Sequence, residues 1–214
     1  MSDNYEGYRR EYTQGGLRSE DLDASPIRQF ERWLEQAVDA GLSDPTAMAL
    51  CTIDEAGNPW QRFVLLKGFS DAGFVFYTNH SSDKAQAIAA NPRVSLHFPW
   101  NELDRQVIVG GRAEKLSQAE SASYFFSRPR ESQIAAWASR QSRPIAKRAV
   151  LEEQVRKLRE KFADDEVPMP DFWGGYCVEP ERIEYWQGGA HRLHDRFRYS
   201  LDANGAWQVT QLQP

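Results

Sequence analysis

The densest group of chemically active side chains lies near the carboxyl end, in Trp186-Gln187-Gly188-Gly189-Ala190-His191-Arg192-Leu193-His194-Asp195-Arg196. In an extended strand, Arg192, His194 and Arg196 would project to one face, because alternate side chains share a face. Such cationic groups repel each other unless an anion lies between them. Gly188-Gly189 beside Trp186 would also let a flat ligand approach the backbone. The segment therefore predicts a site for an aromatic anion; the alternative is a solvated strand edge protected by its charges.

Two further cations bracket an apolar run in the first half of the chain. Arg62 and Lys67 flank Phe63-Val64-Leu65-Leu66, and a cation in a core strand is costly unless it is paired or ligated. Their odd spacing predicts opposite faces of the strand, so one ligand need not bind both. The alternative is that both side chains reach solvent from the strand ends.

Two groups of hydroxyl and cationic side chains accompany predicted helices. In Tyr77-Thr78-Asn79-His80-Ser81-Ser82-Asp83-Lys84, hydroxyls and a lysine at a helix start predict an anion cradle, with a plain N-cap as the alternative. Asp83 suits the helix dipole but competes with a phosphate for the same donors. Tyr124, Arg128 and Ser132 follow at near-helical spacing, although Tyr124 also fits a half-buried core position and Arg128 a helix C-terminus.

The elements that must position these residues follow from periodicity and capping signals. Residues 1–24 are polar and aperiodic, which predicts a mobile arm or lid before a single domain, 25–214. Ser25-Pro26 opens a helix that buries Ile27, Phe30, Leu34 and Val38 and ends at Gly41. Further helices are predicted at 83–90, at 117–127, which a capping box of Ser117 and Glu120 opens, and at 131–139 and 146–162. Strands are predicted at 46–54, 59–69, 73–79, 93–98, 105–115, 175–178, 182–187, 196–201 and 206–211. The pattern predicts a mainly β (β+α) fold, an antiparallel barrel of about six to eight strands with added helices.

Composition narrows the function classes. The 26 Lys and Arg against 31 Asp and Glu give a net charge of −5, which argues against a nucleic-acid partner. Twenty of the 26 cations are Arg, whose planar fork suits carboxylates and phosphates. No window approaches the about 18 apolar residues of a membrane helix, and the first residues lack a secretory signal. Cys51 and Cys177 fit buried, inert thiols and a cytoplasmic protein, and the four histidines are too scattered for a metal site.

Taken together, these segments resemble the pyridoxamine 5′-phosphate oxidase family over nearly the whole chain. The resemblance rests on the segment 186–196, on Arg62–Lys67 and on the following shorter matches: Arg9-Arg10-Glu11-Tyr12, Gly15-Gly16-Leu17, Phe76-Tyr77-Thr78-Asn79, Asn91-Pro92-Arg93-Val94, Phe98-Pro99-Trp100, Arg105-Gln106-Val107, Ser127-Arg128-Pro129-Arg130-Glu131-Ser132-Gln133-Ile134 and Phe172-Trp173-Gly174-Gly175.

The resemblance implies a split antiparallel β-barrel of the FMN-binding type, a homodimer with FMN at the subunit interface. It implies FMN-dependent oxidation of pyridoxamine and pyridoxine 5′-phosphates to pyridoxal 5′-phosphate, with O2 reoxidising the flavin to give H2O2. Arg192 and His194 would lie over the reacting carbon. The implied cofactor-binding residues are Arg62, Phe63, Val64, Leu65, Leu66, Lys67, Tyr77, Thr78, Ser82, Lys84, Gln106, Gln141, Ser142, Trp186 and Arg196. The implied substrate-binding residues are Arg9, Arg10, Glu11, Tyr12, Lys67, Tyr124, Arg128, Ser132, Arg192, Leu193 and His194.

One position departs from the family pattern. Members commonly carry Arg between the positions of Ser82 and Lys84, where this chain has Asp83. A lost charge-assisted hydrogen bond is worth about 1.5–3 kcal/mol. The sequence hypothesis is that the FMN phosphate is held by fewer direct contacts, chiefly Arg62 and Lys84.

Three other functions remain open on the sequence. Another flavoenzyme of the same barrel would act on a different substrate, although Tyr124, Arg128 and Ser132 argue for a second phosphate site. A non-catalytic FMN or pyridoxal phosphate carrier would bind flavin without consuming oxygen. A nucleic-acid-binding module is the weakest alternative because of the acidic balance.

Overall fold

The computed structural model describes residues 7, 10–13, 15–163 and 165–214. The chain divides into two compact units, which are described separately. Unit 1 comprises Met1–Ala49, Ser95–Gly110 and Pro180–Pro214, and unit 2 comprises Leu50–Val94 and Gly111–Glu179. The sequence predicted one domain from residue 25 onward.

The strands form one antiparallel sheet system. Over the described residues its order is β2-β1-β5-β6-β7-β4-β3, with β8 paired to β7 and to β9. The strands are β1 Ala47–Ile53, β2 Pro59–Leu65, β3 Gly68–Ser70, β4 Gly73–Asn79, β5 Arg93–Trp100, β6 Arg105–Lys115, β7 Trp173–Gln187, β8 Asp195–Leu201 and β9 Trp207–Leu212. That is one strand more than the upper end of the predicted range.

Two strand predictions differ from the structure in an informative way. The predicted strand 59–69 is interrupted at Leu66 and Lys67, which separate β2 from β3. The predicted strands 175–178 and 182–187 are one strand, β7, whose first part pairs with β4 and whose second part pairs with β8. Pro180 lies between those two pairings, where its missing N–H removes no bond to either neighbour.

Two of the five helices in the described residues begin at a side-chain cap. They are α1 Pro26–Asp39, α2 Asp83–Ala90, α3 Gln118–Ser127, α4 Arg130–Ala138 and α5 Arg148–Phe162. The Ser25 side chain accepts a hydrogen bond from the Arg28 N–H, and Ser117 and Glu120 form a capping box at α3. Both caps were predicted, because they depend only on neighbouring residues. Among the described residues, no helix is long and apolar enough to cross a membrane.

An aromatic core holds α1 in unit 1. Phe30 is fully buried, with its ring centroid 4.9 Å from that of Phe98, and Trp33 packs edge-on against Tyr185 at 5.1 Å. The Tyr185 hydroxyl donates to the Pro26 carbonyl at 2.6 Å. The predicted apolar face was partly wrong: Trp33 belongs to the buried face, whereas Val38 is exposed in the last turn.

A second core in unit 2 supports α3, α4 and β7. Phe125, Ile134, Phe162, Val167 and Trp173 pack together there. The two cysteines are free and only half-buried.

Candidate functional site

A cavity of about 350 Å³ in unit 2 collects most of the predicted phosphate-binding residues. Its walls come from β2 and the residues after it, from β4, from the first turn of α2 and from the helices around Arg128. The lining residues are Arg62, Phe63, Val64, Leu65, Lys67, Tyr77, Thr78, Asn79, Lys84, Tyr124, Arg128, Ala136, Ser139, Gln141 and Trp173.

Lys84 is the most deeply buried cation of this cavity, at 9% exposure. The Lys84 Nζ donates to Gln141 Oε1 at 2.7 Å, to Thr78 Oγ1 at 3.3 Å and to Ser82 Oγ at 3.5 Å, all of them neutral acceptors. Burial first, and then the charge of Arg62, lowers the pKa of Lys84. A buried ammonium without a carboxylate is electrostatically incomplete, so this position favours an anion.

Arg62 lies on β2 and lines the same cavity. The Arg62 guanidinium donates to Thr52 Oγ1 at 2.7 Å and to the carbonyls of Leu50 and Trp60 at 3.2 and 3.0 Å. Burial lowers the pKa of Arg62. These acceptors are neutral, so they orient the guanidinium without forming an ion pair with it.

Arg128 ends α3 against an aromatic wall. The Arg128 guanidinium lies 4.7 Å from the Trp173 ring centroid, and its buried Nη1 has no hydrogen-bond partner among the described residues. Tyr77 stacks on Tyr124 at 4.0 Å and on Trp173 at 5.4 Å. The cavity therefore combines a flat aromatic wall with an unsatisfied donor, a combination suited to an anionic ring compound.

The four cations of the cavity share one property. In the part of the chain that the structure describes, they form no ion pair with a carboxylate; they are Arg62, Lys67, Lys84 and Arg128. Like charges brought together around an empty volume repel, which costs stability unless an anion binds.

The prediction that Arg62 and Lys67 lie on opposite faces of one strand was wrong. The alternation rule fails because β2 ends at Leu65, and Lys67 follows the strand instead of continuing it. Both side chains consequently line the same cavity. Leu66, between them, is buried in the core and is not part of the lining.

Residues 139–143 cross the first turn of α2. Ser142 Oγ accepts a hydrogen bond from the Asp83 N–H at 3.3 Å, and Ser142 has a left-handed φ of 68°. The Arg143 guanidinium donates to the Ser81 carbonyl at 3.0 Å and lies 3.5 Å from the Asp83 carboxylate. Asp83 therefore has a cationic partner, Arg143, that the sequence did not reveal.

Two residues that were predicted to bind the phosphates, Ser82 and Ser132, have surroundings that differ from those expected. Ser82 is fully buried at the N-cap of α2, but its side chain makes no capping hydrogen bond. Ser132 lies in the first turn of α4 and is not among the residues lining the cavity.

The segment 186–196 lies in unit 1, and its middle part is not the extended backbone on which the expected alternation of side chains depended. β7 ends at Gln187, Ala190–Arg192 form a 3-10 turn, and β8 begins at Asp195. His191 and Arg192 have left-handed φ values of 55° and 65°. The predicted alternation of Arg192, His194 and Arg196 on one strand face was therefore wrong.

Within this turn, the His194 ring is fixed by the backbone. His194 Nδ1 accepts a hydrogen bond from the Gly189 N–H at 3.1 Å, so the neutral ring carries its proton on Nε2. The ring lies 4.7 Å from the Trp186 ring. Gly189 is required here, since a Cβ would come within 2.1 Å of the Leu193 carbonyl oxygen.

The described part of the arm packs on this turn. Tyr12 contacts Trp186 and His194 edge-on, at 5.6 and 5.3 Å, and the Arg192 guanidinium lies 5.6 Å from the Tyr12 centroid. The Glu11 carboxylate accepts the His191 N–H at 3.2 Å. Arg9, which was also predicted to bind substrate, lies outside the described residues.

The remaining predicted residues of unit 1 have partners of their own. The Arg196 guanidinium pairs with Glu184 at 2.6 Å, and Gln106 Oε1 lies 3.1 Å from His97 Nε2. Leu193 is 71% exposed, which leaves it free to contact another molecule.

Two residues of these sites were not assigned from the sequence. Trp173 stood in a quoted motif without a role, and its contact with Arg128 depends on β7 passing α3. Asp104 gave no local signal, yet it contacts both the arm and the residues after Trp186.

Comparison with known proteins is consistent with this arrangement. Residues 34–162 match the family model described as pyridoxamine 5′-phosphate oxidase, and residues 173–214 match the model of the pyridoxine 5′-phosphate oxidase C-terminal dimerisation region. The pyridoxine/pyridoxamine 5′-phosphate oxidase of Vibrio cholerae is 60% identical, with 96% of this chain and 97% of the relative covered. That of Pseudoalteromonas translucida is 56% identical, over 98% of this chain and 99% of the relative.

Solved structures show the same architecture. PhzG from Burkholderia lata, in complex with tetrahydrophenazine-1-carboxylic acid, aligns with a TM-score of 0.87 and 30% identity, covering 92% of this chain and 98% of PhzG. An FMN-binding protein of Nostoc punctiforme related to pyridoxamine 5′-phosphate oxidase shares the fold, with a TM-score of 0.72 and 13% identity over 90% of this chain and all of that one. The predicted split-barrel fold is confirmed, and the chain belongs to the pyridoxamine 5′-phosphate oxidase family.

Proposed function

We propose that this protein oxidises pyridoxamine 5′-phosphate and pyridoxine 5′-phosphate to pyridoxal 5′-phosphate with FMN as cofactor. The observation that carries the proposal is the cavity of unit 2, in which cations without carboxylate partners surround a stacked aromatic wall. Two aromatic phosphates, the flavin nucleotide and the pyridine substrate, supply the anions that such a site lacks.

The donors of the cavity fit the FMN phosphate at one end. Lys84 and Arg62 provide the charges, and Thr78 and Ser82 lie within hydrogen-bonding distance of Lys84. Lys84 is held by neutral oxygens, so an incoming phosphate gains a charge-assisted bond without breaking an ion pair. The remaining residues that we assign to the flavin on this unit are Phe63, Val64, Leu65, Leu66, Lys67, Tyr77, Gln141 and Ser142.

A second set of donors fits the substrate phosphate. Arg128 has an unsatisfied buried Nη1, and Tyr124 and Lys67 line the same cavity. We assign these three residues to the substrate, whereas Ser132, which does not line the cavity, remains a prediction from the sequence. A second phosphate site favours this substrate class over that of a flavoenzyme acting on unphosphorylated compounds.

When bound, FMN would supply the redox chemistry, taking two electrons as a hydride from the 4′ carbon of the substrate and passing them to O2, which with protons gives H2O2. The alcohol substrate would give the aldehyde directly, whereas the amine would give an imine that water hydrolyses to the aldehyde and ammonia. The protein supplies orientation and electrostatics. Arg192 orients the reacting carbon, and His194 assists, with the proton of its neutral ring fixed on Nε2 by the Gly189 N–H. In this proposal, four described residues close over the substrate: Arg10, Glu11, Tyr12 and Leu193.

We further propose that the working enzyme is a homodimer with FMN at the subunit interface. The support is the match of residues 173–214 to a model described as a dimerisation region. Gln106, Trp186 and Arg196 complete the flavin site in this proposal.

Asp83 stands where family members commonly carry Arg, so it bears on how the FMN phosphate would be held. Its carboxylate lies beside Arg143 and not in the cavity lining, which supports the hypothesis that Arg62 and Lys84 are the principal phosphate ligands. Asp83→Arg should tighten FMN binding if a direct phosphate contact is missing. An unchanged FMN dissociation constant in this variant would contradict the hypothesis.

The proposal is tested by purifying the protein, recording its flavin spectrum and following oxygen uptake with pyridoxamine 5′-phosphate. We expect a yellow protein that consumes oxygen and forms pyridoxal 5′-phosphate. Pyridoxamine without its phosphate is the matched control, and it should be a poor substrate. A yellow protein that consumes no oxygen with the phosphorylated amine or alcohol would identify a carrier instead.

A further inference from the structure

Asp104 is a buried carboxylate placed between the arm and the segment after Trp186. It follows the 3-10 turn Asn101–Leu103 and has a left-handed φ of 54°, a conformation that Asp tolerates better than most residues. Its side chain is 1% exposed. A buried charge in this position needs a partner, because ionised carboxylates are costly to remove from water.

The backbone of Asp104 is bound to the residues that follow Trp186. The Asp104 carbonyl accepts the Gly188 N–H at 2.7 Å and a hydrogen bond from Gln187 Nε2 at 3.3 Å. The position of Asp104 is therefore fixed by the same segment that carries Arg192 and His194.

The carboxylate of Asp104, by contrast, is contacted by the arm. The Arg10 guanidinium forms an ion pair with Asp104 and also donates to the Asn101 carbonyl at 2.7 Å. The Thr13 N–H donates to Asp104 Oδ2 at 3.3 Å. Undocking residues 10–13 would leave this carboxylate without its partners, so its burial favours the docked arm.

Tyr12 lies in the chain between Arg10 and Thr13, the two residues that contact the Asp104 carboxylate. A Cβ on Gly188 would come within 2.8 Å of the Tyr12 ring and 3.0 Å of Asp104 Cβ, so only glycine accommodates both. The docked Tyr12 ring contacts His194, with the Arg192 guanidinium beside it. An independent anchor follows, because the Leu17 N–H donates to the Asp195 carboxylate at 3.0 Å.

We propose that Asp104 is a positioning residue, which latches the arm through Arg10 and Thr13 and thereby holds Tyr12 against His194. The role of the closed arm in substrate binding rests on the proposed function. The latch itself is a property of unit 1 and can be measured without substrate.

The test is limited trypsin digestion of the FMN-loaded protein, with cleavage after Arg10 followed by mass spectrometry. Asp104→Asn keeps the side-chain shape but removes the charge, and should accelerate cleavage after Arg10 about tenfold or more, since hydrogen bonds to charged groups are the stronger ones. Cleavage after Arg18, beyond the Leu17 anchor, should change less than twofold. Glu102→Gln, an exposed carboxylate in the same turn, is the matched control and should behave like the unaltered protein.

Because Asp104→Asn alters a buried group, Arg10→Gln is a second variant that breaks the same ion pair from its exposed side. Arg10→Gln also removes the trypsin site, so the variants are compared by chymotrypsin cleavage after Tyr12. The two single variants and the double variant should show the same acceleration of this cleavage, because either change removes the shared interaction. Unaltered cleavage after Tyr12 in both single variants would overturn the latch. A rise in trypsin cleavage after Arg18 that parallels the rise after Arg10 in Asp104→Asn would also overturn it, because it would indicate general loosening.

Kinetics add a second readout. Asp104→Asn should raise KM for pyridoxamine 5′-phosphate about tenfold or more, leave kcat within about threefold and leave the FMN dissociation constant within about twofold, because a latch contributes mainly to substrate binding. A fall in FMN affinity matching the rise in KM would overturn the positioning role. Failure of the unaltered protein to oxidise any substrate would overturn the proposed function and leave the digestion result as the measure of the latch.

Discussion

Replacing Lys84 by methionine should weaken FMN binding without destabilising the FMN-free protein, because the buried charge favours phosphate binding but opposes folding. The ammonium is buried at 9% exposure with Gln141, Thr78 and Ser82 as its acceptors. Its charge is thus desolvated without an ionic partner among the described residues, which opposes folding of the FMN-free protein. The same desolvated charge strengthens a bond to phosphate.

The magnitudes follow from these contacts. Loss of one charge-assisted hydrogen bond to phosphate, about 1.5–3 kcal/mol, should raise the FMN dissociation constant about 10- to 150-fold. In the FMN-free protein, Thr78 Oγ1 still donates to Gln141 Oε1 at 3.0 Å, so Thr78 and Gln141 remain satisfied. We therefore expect the FMN-free variant to be at least as stable as the unaltered protein, with a gain of up to about 1 kcal/mol.

Flavin fluorescence quenching measures the dissociation constant, and urea unfolding of the FMN-free protein measures the stability. Lys115→Met, which removes an exposed lysine at the end of β6, is the control and should change neither quantity appreciably. The reasoning is refuted if Lys84→Met binds FMN normally. It is equally refuted if the FMN-free variant loses more than about 2 kcal/mol, since Lys84 would then be a structural residue.

Three further predictions follow from the same contacts. Arg128→Lys keeps the charge but loses the planar contact with Trp173, so kcat/KM should fall about 10-fold or more while FMN affinity is retained. The control Arg130→Lys should leave kcat/KM nearly unchanged, and equal effects of the two variants would contradict the assignment of Arg128. Burial lowers the pKa of Lys84, so at pH values between this lowered pKa and the ordinary pKa of lysine the unfolded chain binds more protons than the folded protein. In that range, the stability of the FMN-free protein should rise with pH while its affinity for FMN falls. Lys84→Met should abolish both trends. Arg192→Ala should keep FMN and lose most of kcat/KM in steady-state oxygen uptake; near-normal turnover would exclude its orienting role.

Sequence alone was sufficient wherever the signal was local. The bounds of β4, α2 and β6 match the prediction, because glycine turns, the Asn91-Pro92 break and capping residues act within a few positions. The capping box of Ser117 and Glu120 was found for the same reason. The residue types also indicated anion chemistry before any geometry was available.

Tertiary structure decided which of these groups meet. Lys67 joins Arg62 in one cavity only because β2 ends early. His191 and Arg192 adopt a left-handed turn although neither is glycine, so the alternation that extended backbone would give is absent. The partners of Asp83 and Asp104 are distant in sequence, at Arg143 and Arg10. Capping and turn preferences are set by neighbouring residues, whereas the pairing of charges across a fold depends on strand registry and helix packing, which no short stretch of sequence contains.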